Sequence, residues 1–267
     1  MNNAEKQFVL GVGISATSYE RACEQALEWI EEARAHATAA RYVCVTSVHG
    51  IVSARRDPAF RRTLNAADMA TPDGMPVVWA MRSFGRSGQQ RVYGPTLMLR
   101  LCADAEERGY RIFLYGARPE TLTALRDALL DRFPLLQIAG SFAPPFRPLT
   151  AAEDQDVIRR IRDARADIVF VGLSTPKQET WMAAHKTALP GVVMFGVGAA
   201  FDFHAGRVSQ APAWMQNNGL EWFYRLLSEP KRLWRRYLLE TPVFLPLWLL
   251  QLAGLLPEAD FKEMSHV

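Results

Sequence analysis

Residues 167–181 read Asp-Ile-Val-Phe-Val-Gly-Leu-Ser-Thr-Pro-Lys-Gln-Glu-Thr-Trp, and this stretch decides the fold class. Its apolar, β-branched beginning predicts a buried strand that ends at Val171. A polar loop follows, and a helix is expected to begin near Lys177. An almost wholly apolar strand that leads into a helix is typical of a parallel sheet covered on both faces.

The same alternation of short apolar runs and longer helical patterns extends over most of the chain. Strands are expected at residues 8–14, 42–46, 111–115, 136–141, 167–171 and 192–195. Helices are expected around residues 19–37, 75–84, 95–107, 120–132, 151–164 and 178–187. We therefore predict an α/β fold, with a Rossmann-like, mostly parallel sheet and helices on both faces. In such sheets ligands bind beyond the carboxyl ends of the strands.

The composition changes past Gly206. Residues 211–267 have no strand pattern and contain four of the seven tryptophans. Three prolines, at positions 230, 242 and 246, divide this segment into short helices. We therefore predict two domains, with residues 1–210 forming the α/β domain and residues 211–267 forming a basic and aromatic helical appendage.

Charge and cysteine content narrow the classes of function. The formal net charge of +3 over 267 residues is too small to indicate a nucleic-acid partner. The three cysteines, Cys23, Cys44 and Cys102, form no CxxC pair and are interpreted as buried thiols in a reducing compartment. The N-terminal residues lack the basic start and apolar core of a signal peptide, which favours a cytoplasmic location.

Two polar segments lie beside predicted elements. Asp73 belongs to a tight turn, Thr71-Pro72-Asp73-Gly74, before the helix expected from Met75. Its carboxylate either caps that helix or acts as a general base. The segment Thr46-Ser47-Val48-His49 follows an apolar strand, and its hydroxyls either bind a sugar or phosphate or cap the next helix. His49 has no partner at metal-ligand spacing.

Two glycine-containing segments indicate a phosphate site. After Gly172, the start of the helix near Lys177 offers backbone N–H groups to a diphosphate. Residues 195–202 contain Gly198 and Asp202, and their glycines allow a ligand to approach the backbone closely. This GxG fragment lacks the third glycine of a dinucleotide fingerprint. No HExxH motif or acidic cluster is present in the sequence, so we expect neither a metal nor a cofactor.

The tail combines cations with large apolar side chains. Arg225, Arg232 and Arg236 are spaced i, i+7 and i+11, which is one face of a helix unless Pro230 bends it. Residues 242–256 would rise about 22 Å as a helix, short of the ~30 Å hydrocarbon core, so a spanning helix is not expected. A helix lying in the membrane interface and a helix pair packed on the core both fit this composition.

Taken together, these segments resemble the WecG/TagA/CpsF family of bacterial glycosyltransferases over about residues 42–237. The matching pieces are, in order, Thr46, Thr71-Pro72-Asp73-Gly74, Arg91-Val92-Tyr93-Gly94, Gly116, residues 172–181, Phe201-Asp202-Phe203-His204-Ala205-Gly206, Ala211-Pro212-Ala213-Trp214, residues 219–226, Glu229-Pro230, Arg232 and Arg236-Tyr237. No single piece is specific, but the ordered set is.

The resemblance implies a metal-independent, inverting transferase with residues 1–210 as its catalytic domain. The donor would be a UDP-sugar, often UDP-N-acetylmannosamine, and the acceptor a polyprenyl-diphosphate-linked sugar at the inner face of the cell membrane. Asp73 would be the general base and Arg91 a second catalytic group. The expected substrate-binding residues are Thr46, His49, Gly116, Gly172, Gln178, Gly198 and Asp202. The cations expected to meet the lipid diphosphate and the membrane are Arg225, Arg232, Arg235 and Arg236.

Two positions depart from the pattern of that family. Val48 stands where its members commonly have Asn, and Gln210 where they usually have Arg. Val48 cannot hydrogen-bond a sugar, and some exopolysaccharide members transfer glucose to lipid-linked glucose, so UDP-glucose competes as the donor. The alternatives from other classes are a non-catalytic membrane-binding module and an NAD-dependent oxidoreductase. The latter would need a full GxGxxG, which Gly11-Val12-Gly13-Ile14 does not continue.

Overall fold

The computed structural model describes residues 5–36 and 38–256. The strands are β1 (Lys6–Val9), β2 (Val12–Ser15), β3 (Arg41–Thr46), β4 (Met69–Pro72), β5 (Arg111–Gly116), β6 (Gln137–Phe142), β7 (Ile168–Gly172) and β8 (Val193–Gly196). The helices are α1 (Tyr19–Ala35), α2 (Val48–Arg56), α3 (Pro58–Asn65), α4 (Met75–Ser83), α5 (Gly94–Arg108), α6 (Pro119–Arg132), α7 (Ala151–Asp163), α8 (Lys177–Ala184), α9 (Ala200–His204), α10 (Ala213–Asn217), α11 (Glu221–Ser228), α12 (Pro230–Trp234) and α13 (Phe244–Leu252). A π-helical turn (Arg235–Glu240) and a 3₁₀ turn (Thr241–Val243) connect α12 to α13.

The principal sheet has six strands in the order β4-β3-β8-β7-β5-β6. The pairs β3–β8, β8–β7, β7–β5 and β5–β6 are all parallel. In β7, Ile168 is aligned with Ile112 on one side and with Val193 on the other. Its first four residues are buried because this strand has neighbours on both edges, whereas the edge strand β6 is partly exposed. The predicted mostly parallel α/β sheet is confirmed.

The chain is grouped into two compact units. Among the described residues, the first unit consists of residues 5–18, 46–92 and 211–256, and the second of residues 19–36, 38–45 and 93–210. The tail beyond Gln210 therefore shares a unit with two earlier segments. The division into a domain of residues 1–210 and an appendage of residues 211–267 stays a prediction.

Helix boundaries in the second unit follow local capping chemistry. Helix α7 begins at Ala151 because the Thr150 hydroxyl accepts from the Glu153 backbone N–H at 3.3 Å, and the Glu153 carboxylate accepts from the Thr150 N–H at 2.9 Å. Helix α5 ends where Gly109 adopts a left-handed conformation with φ of 68°. In the core of this unit the rings of Phe170 and Phe195 lie 5.9 Å apart between their centroids.

The N-terminal part of the first unit corrects one prediction. Residues 8–14 were expected to form a single strand, but β1 and β2 form an antiparallel hairpin. The chain reverses at Leu10 and Gly11, which both have positive φ. The Asn65 side chain stabilises this reversal, since it donates to the Gly11 carbonyl at 3.0 Å and accepts from the Gly13 N–H at 2.9 Å. A short apolar run does not by itself reveal such a reversal.

The sequence patterns did not predict four elements that the structure contains. They are β4, α2, α3 and α9. Strand β4 has only four residues, too few for a reliable pattern. Helix α3 did carry a local signal: Asp57 caps it by accepting from the backbone N–H groups of Ala59 and Phe60, and Pro58 occupies its first turn.

The described part of the tail is a series of short helices ending in α13. This helix buries Phe244 but exposes four leucines, Leu245, Leu249, Leu250 and Leu252. The Gln251 side chain accepts from the Leu10 N–H at 2.8 Å and donates to the Phe8 carbonyl at 3.1 Å, so α13 is attached to the β1–β2 hairpin. No helix within residues 5–36 and 38–256 combines the length and apolar character needed to cross a membrane.

Candidate active site

Asp73 lies on a rigid turn between β4 and α4. The next residue, Gly74, has φ of 90°, which residues with side chains rarely adopt. Gly74 also takes the N-cap position of α4, and no side chain caps this helix. The Asp73 N–H donates to the Thr46 carbonyl at 3.0 Å, which ties the turn to the end of β3. Asp73 is therefore not a helix cap, and its carboxylate is available for chemistry.

Arg91 links Asp73 to a second carboxylate. Its guanidinium donates to Asp73 Oδ1 from Nε at 3.3 Å and from Nη2 at 3.1 Å. Nη2 also donates to Glu221 Oε2 at 2.6 Å, at the first residue of α11. The backbone next to Arg91 is held in place because the Val92 N–H donates to the Pro72 carbonyl at 2.9 Å. Two charge-assisted hydrogen bonds to one oxygen hold the Asp73 carboxylate in a defined orientation.

The electrostatic surroundings of Asp73 suit a general base. Burial raises the pKa of the Asp73 carboxyl; Arg91 opposes that rise, and the nearby Glu221 adds to it. The net effect is a pKa above that of an ordinary aspartate. A carboxylate with a raised pKa holds a transferred proton more strongly, while its 20% exposed side chain stays accessible to a substrate.

Ser47 and His49 lie at the start of α2. Ser47 occupies the N-cap position without capping the helix, and its hydroxyl accepts from Arg236 Nη2 at 3.4 Å. Burial and the charges of Arg236 and Arg56 lower the pKa of His49 to about 4. The imidazole is therefore neutral at pH 7, and its 3.5 Å approach to a carboxylate oxygen of Glu240 is not an ion pair at that pH.

The four tail cations are in different environments. Arg225 interacts electrostatically with Asp73, and Arg236 is partly buried beside Ser47. Arg232 is exposed and pairs with Glu229, with its Nε 2.7 Å from Oε1. Arg235 is also exposed, and its guanidinium lies 5.7 Å from the centroid of the Trp234 ring. Two of the four cations are thus partly buried within the first unit, and two are exposed to solvent.

Glycines at the strand ends of the second unit are explained by packing. A Cβ atom at Gly116, after β5, would lie 2.5 Å from the carbonyl oxygen of Gly172. A Cβ atom at Gly172 would lie 2.7 Å from the ring of Phe201. Any side chain at either position would displace backbone or an aromatic ring, so both glycines permit the close contacts among the ends of these elements.

Gln178 provides a buried polar group at the same edge of the sheet. Its side chain is 2% exposed, and Nε2 donates to Glu179 Oε1 at 3.0 Å. Its Oε1 atom has no hydrogen-bond partner among the described residues. Gly198, with φ of 55°, neighbours this amide, since a Cβ atom added there would lie 3.7 Å from Gln178 Oε1. A buried acceptor without a partner is the kind of group that a ligand satisfies.

The predicted site residues fall into one set in each unit. Thr46, His49, Asp73, Arg91 and the four tail arginines belong to the first unit, whereas Gly116, Gly172, Gln178, Gly198 and Asp202 belong to the second. Glu221 had been noted only within a motif, and its contact with Arg91 was missed because no local pattern marks a partner 130 positions away. In the described part of the chain, no group of His, Cys, Asp and Glu side chains could hold a metal ion.

The fold and the Asp73 environment define a class of protein: an α/β protein with a partly buried, arginine-bound carboxylate on the turn between β4 and α4, a kind of group that general bases are drawn from. Comparison with known sequences specifies the class further. The model of the Glycosyl transferase WecG/TagA/CpsF family matches residues 7–256, so the chain belongs to this family and is a glycosyltransferase. This membership decides against the oxidoreductase and the non-catalytic membrane module.

Two curated relatives bear the same name, N-acetylglucosaminyldiphosphoundecaprenol N-acetyl-beta-D-mannosaminyltransferase. The one from Bacillus spizizenii (strain ATCC 23059 / NRRL B-14472 / W23) is 32% identical over 185 residues, which cover 69% of this chain and 70% of the relative. The one from Bacillus subtilis (strain 168) is 33% identical over 186 residues, which cover 70% of each chain. By their names, both relatives transfer N-acetylmannosamine to a lipid-diphosphate-linked N-acetylglucosamine.

Proposed function

We propose that this glycosyltransferase moves a hexose from a UDP-sugar to a polyprenyl-diphosphate-linked sugar, with inversion and without a metal, in the synthesis of a cell-surface polysaccharide. The observation that carries the proposal is the Asp73 carboxylate, which has a raised pKa and is held by Arg91. In inverting transfer one base removes the proton of the acceptor hydroxyl as that oxygen attacks the anomeric carbon. The bond to UDP breaks, and UDP leaves with the electron pair.

The charge that develops on departing UDP needs stabilisation. Backbone N–H groups around Gly172 and Gly198 in the second unit are proposed to stabilise this charge. The Gln178 amide oxygen, which has no partner among the described residues, is proposed to accept from a hydroxyl of the donor sugar. Asp202, in α9 after β8, is proposed to contribute to the same binding surface. Thr46 and His49 are proposed to contact substrate from the first unit, with His49 as a neutral hydrogen-bonding group. Arginines can neutralise phosphate charge without a metal.

The donor sugar is either N-acetylmannosamine or glucose. The names of the two relatives favour N-acetylmannosamine. Val48 favours glucose, because this side chain is only 7% exposed and can form no hydrogen bond to an acetamido group. UDP-N-acetylmannosamine and UDP-glucose are therefore the two donors to compare first.

The proposed reaction is tested by a donor screen with purified protein and a short-chain polyprenyl-diphosphate sugar. We expect release of UDP from UDP-N-acetylmannosamine or UDP-glucose, and the same rate in excess EDTA. Turnover of only GDP- or CMP-linked sugars would contradict the donor class. A loss of activity in EDTA that Mg²⁺ or Mn²⁺ restores would contradict metal independence.

We also propose that the tail binds the inner surface of the cell membrane. Four leucines of α13 are exposed, and the exposed cations Arg232 and Arg235 precede them in the chain. Apolar side chains next to cations suit the interface of an anionic membrane, where each cation contributes about 1 kcal/mol. The acceptor's diphosphate lies at the headgroup level of the same interface.

The tail prediction concerns a double variant, Leu245→Ser with Leu249→Ser. Each side chain is about half exposed in the free protein, so the substitutions remove apolar surface that would enter the membrane and leave the core intact. We therefore expect the affinity for anionic vesicles to fall about tenfold, with the melting temperature unchanged. Leu135→Ser is the matched control, since this leucine is 78% exposed but lies in the second unit. Co-sedimentation at low and high salt measures the effect, and sedimentation that depends on neither salt nor the leucines would refute membrane binding.

A further inference from the structure

Glu179 is a buried carboxylate beside Gln178 in the first turn of α8. Its side chain is 1% exposed, that of Gln178 is 2% exposed, and both residues follow the loop after β7. Glutamate is rarely buried to this extent, because removing a carboxylate from water is costly unless hydrogen bonds replace the lost hydration. The hydrogen-bond partners of Glu179 therefore indicate its role in the second unit.

One oxygen of Glu179 receives two hydrogen bonds. Its Oε1 atom accepts from Gln178 Nε2 at 3.0 Å and from Thr175 Oγ1 at 2.8 Å. The two ends of a glutamine amide have nearly the same shape, so their hydrogen-bond partners decide which end points where. A carboxylate accepts and does not donate. The NH₂ end of the Gln178 amide is therefore directed to Glu179, and the oxygen is the end that remains for another partner.

The Gln178 amide lies against two glycines. A Cβ atom at Gly198 would lie 3.7 Å from Gln178 Oε1, and one at Gly196 would lie 3.1 Å from Nε2. Glycine at both positions keeps side chains from crowding the amide. Oε1 is buried and has no hydrogen-bond partner among the described residues. It is thus an acceptor, held in a fixed orientation, whose partner is a ligand group.

A fixed acceptor restricts the ligand groups that can bind beside it. Gln178 Oε1 accepts from an O–H or an N–H, whereas the oxygens of an ionised diphosphate only accept and would be repelled. If the amide could turn over, its NH₂ end would bind acceptors instead, and this selection would be lost. The orientation that Glu179 imposes therefore decides which part of a UDP-sugar Gln178 can contact.

We propose that Glu179 is a positioning residue, which holds the Gln178 amide with its oxygen toward the donor sugar and so selects a sugar that presents a hydroxyl there. This inference rests on the proposed function and adds a residue that acts through Gln178. The selection arises because an analogue without that hydroxyl leaves Oε1 buried and without a partner.

The variant Glu179→Gln keeps the shape of the side chain but replaces a group that only accepts by one that also donates. Both orientations of the Gln178 amide then become possible. We expect the affinity for the preferred donor, UDP-glucose or UDP-N-acetylmannosamine, to fall about threefold to tenfold, while UDP affinity stays within about twofold. Calorimetry measures both. Glu24→Gln makes the same change at an exposed position of α1 and should bind like the wild type.

Monodeoxy analogues of the preferred UDP-sugar test the selection itself. The wild type should bind one of them about tenfold more weakly than the parent sugar, and in Glu179→Gln this ratio should fall to about threefold or less. In a Gln178→Leu background, Glu179→Gln should have no further effect on the ratio, because Glu179 acts through that amide.

Two results would overturn the assignment. Additive effects of Glu179→Gln and Gln178→Leu would show that the two residues act independently. Equal weakening of UDP and of the UDP-sugar would place the contact on the nucleotide. Should Glu179→Gln fail to fold, Thr175→Val replaces it, since it removes the second hydrogen bond that anchors the carboxylate. The analogue ratio should then fall about twofold or more, and an unchanged ratio would refute the network.

The side-chain amide signal of Gln178 separates this inference from the proposed function, because it requires no substrate. In the ligand-free wild type, the N–H directed to Glu179 should give a downfield nuclear magnetic resonance signal that exchanges slowly with solvent. Its absence from the spectrum of Gln178→Leu assigns it. In Glu179→Gln the signal should move upfield and exchange about tenfold faster. If the wild type turns over no donor, the proposed function fails, but this change would still support the positioning role. An unchanged signal in Glu179→Gln would refute it.

Discussion

Asp73→Asn is expected to lower kcat for sugar transfer on the order of 10²-fold or more. The amide has nearly the same shape as the carboxylate, so the turn formed with Gly74 is preserved, but it cannot accept the proton of the attacking hydroxyl. Initial rates of UDP release at saturating donor and acceptor measure the effect. UDP affinity should change little, because the base acts on the acceptor.

The control for this variant is Asp127→Asn, which neutralises an exposed carboxylate on α6. It should transfer sugar at the wild-type rate. The melting temperature of Asp73→Asn at pH 7 should equal or exceed that of the wild type, because an aspartate whose pKa is raised on folding costs stability once it is deprotonated. Transfer by Asp73→Asn within a few-fold of wild type would show that another group is the base.

The same raised pKa has a consequence for the dependence of activity on pH. kcat/KM should fall as the pH is lowered through the pKa of Asp73, since the protonated carboxyl cannot accept a proton. Because that pKa lies above the ordinary value, the fall should begin at a higher pH than an unperturbed aspartate would give. The residual activity of Asp73→Asn should lack this limb of the profile.

Arg91→Met should combine a large loss of stability with a loss of activity. Asp73 and Glu221, with side chains 20% and 14% exposed, share the Arg91 guanidinium, and its removal leaves two partly buried carboxylates side by side. Removing one partner from a buried ion pair costs about 3 kcal/mol or more, which corresponds to a fall in melting temperature of roughly 6–12 °C for a protein of this size. kcat should also fall about tenfold or more, because the base loses the group that orients it.

Two matched variants separate charge balance from simple loss of a side chain. Adding Glu221→Gln to Arg91→Met removes one of the two carboxylates and should restore part of the lost stability. Arg232→Met breaks the exposed pair with Glu229, which contributes at most about 1 kcal/mol, so its melting temperature should change by only a few degrees. If the Arg91→Met variant has the same melting temperature as the wild type, this ion-pair network does not stabilise the fold.

Predictions from the sequence succeeded where the signal is local and periodic. Strands β3, β5, β6, β7 and β8, together with the long helices, were predicted to within a few residues. Their apolar runs and helical periods persist over enough residues to outweigh accidental patterns. The predictions failed at β4, because this strand has only four residues. They also failed at the β1–β2 hairpin, because no turn motif in the sequence indicates the positive φ of Leu10.

The ambiguous roles were decided by contacts over long distances in sequence. Asp73 could have been a cap or a base from its turn motif alone. The structure decides against the cap because Gly74 takes that position and Arg91, 18 residues later, binds the carboxylate. The structure gives Gly116 and Gly172 a packing role, because a Cβ atom at either would meet backbone or a ring at the strand ends. Their part in binding substrate stays a prediction.

The sequence by itself determined the α/β class, the order of its main elements and the family resemblance, since apolar periodicity and ordered motifs are properties of neighbouring residues. Only the tertiary structure decided which charges meet. It brings Glu221 to Arg91 across 130 positions, and it brings Arg236 to Ser47 across 189 positions. It also left Arg232 and Arg235 in solvent, although all four tail arginines look alike in sequence. Burial and pairing depend on how distant segments pack, and no spacing along the chain encodes them directly.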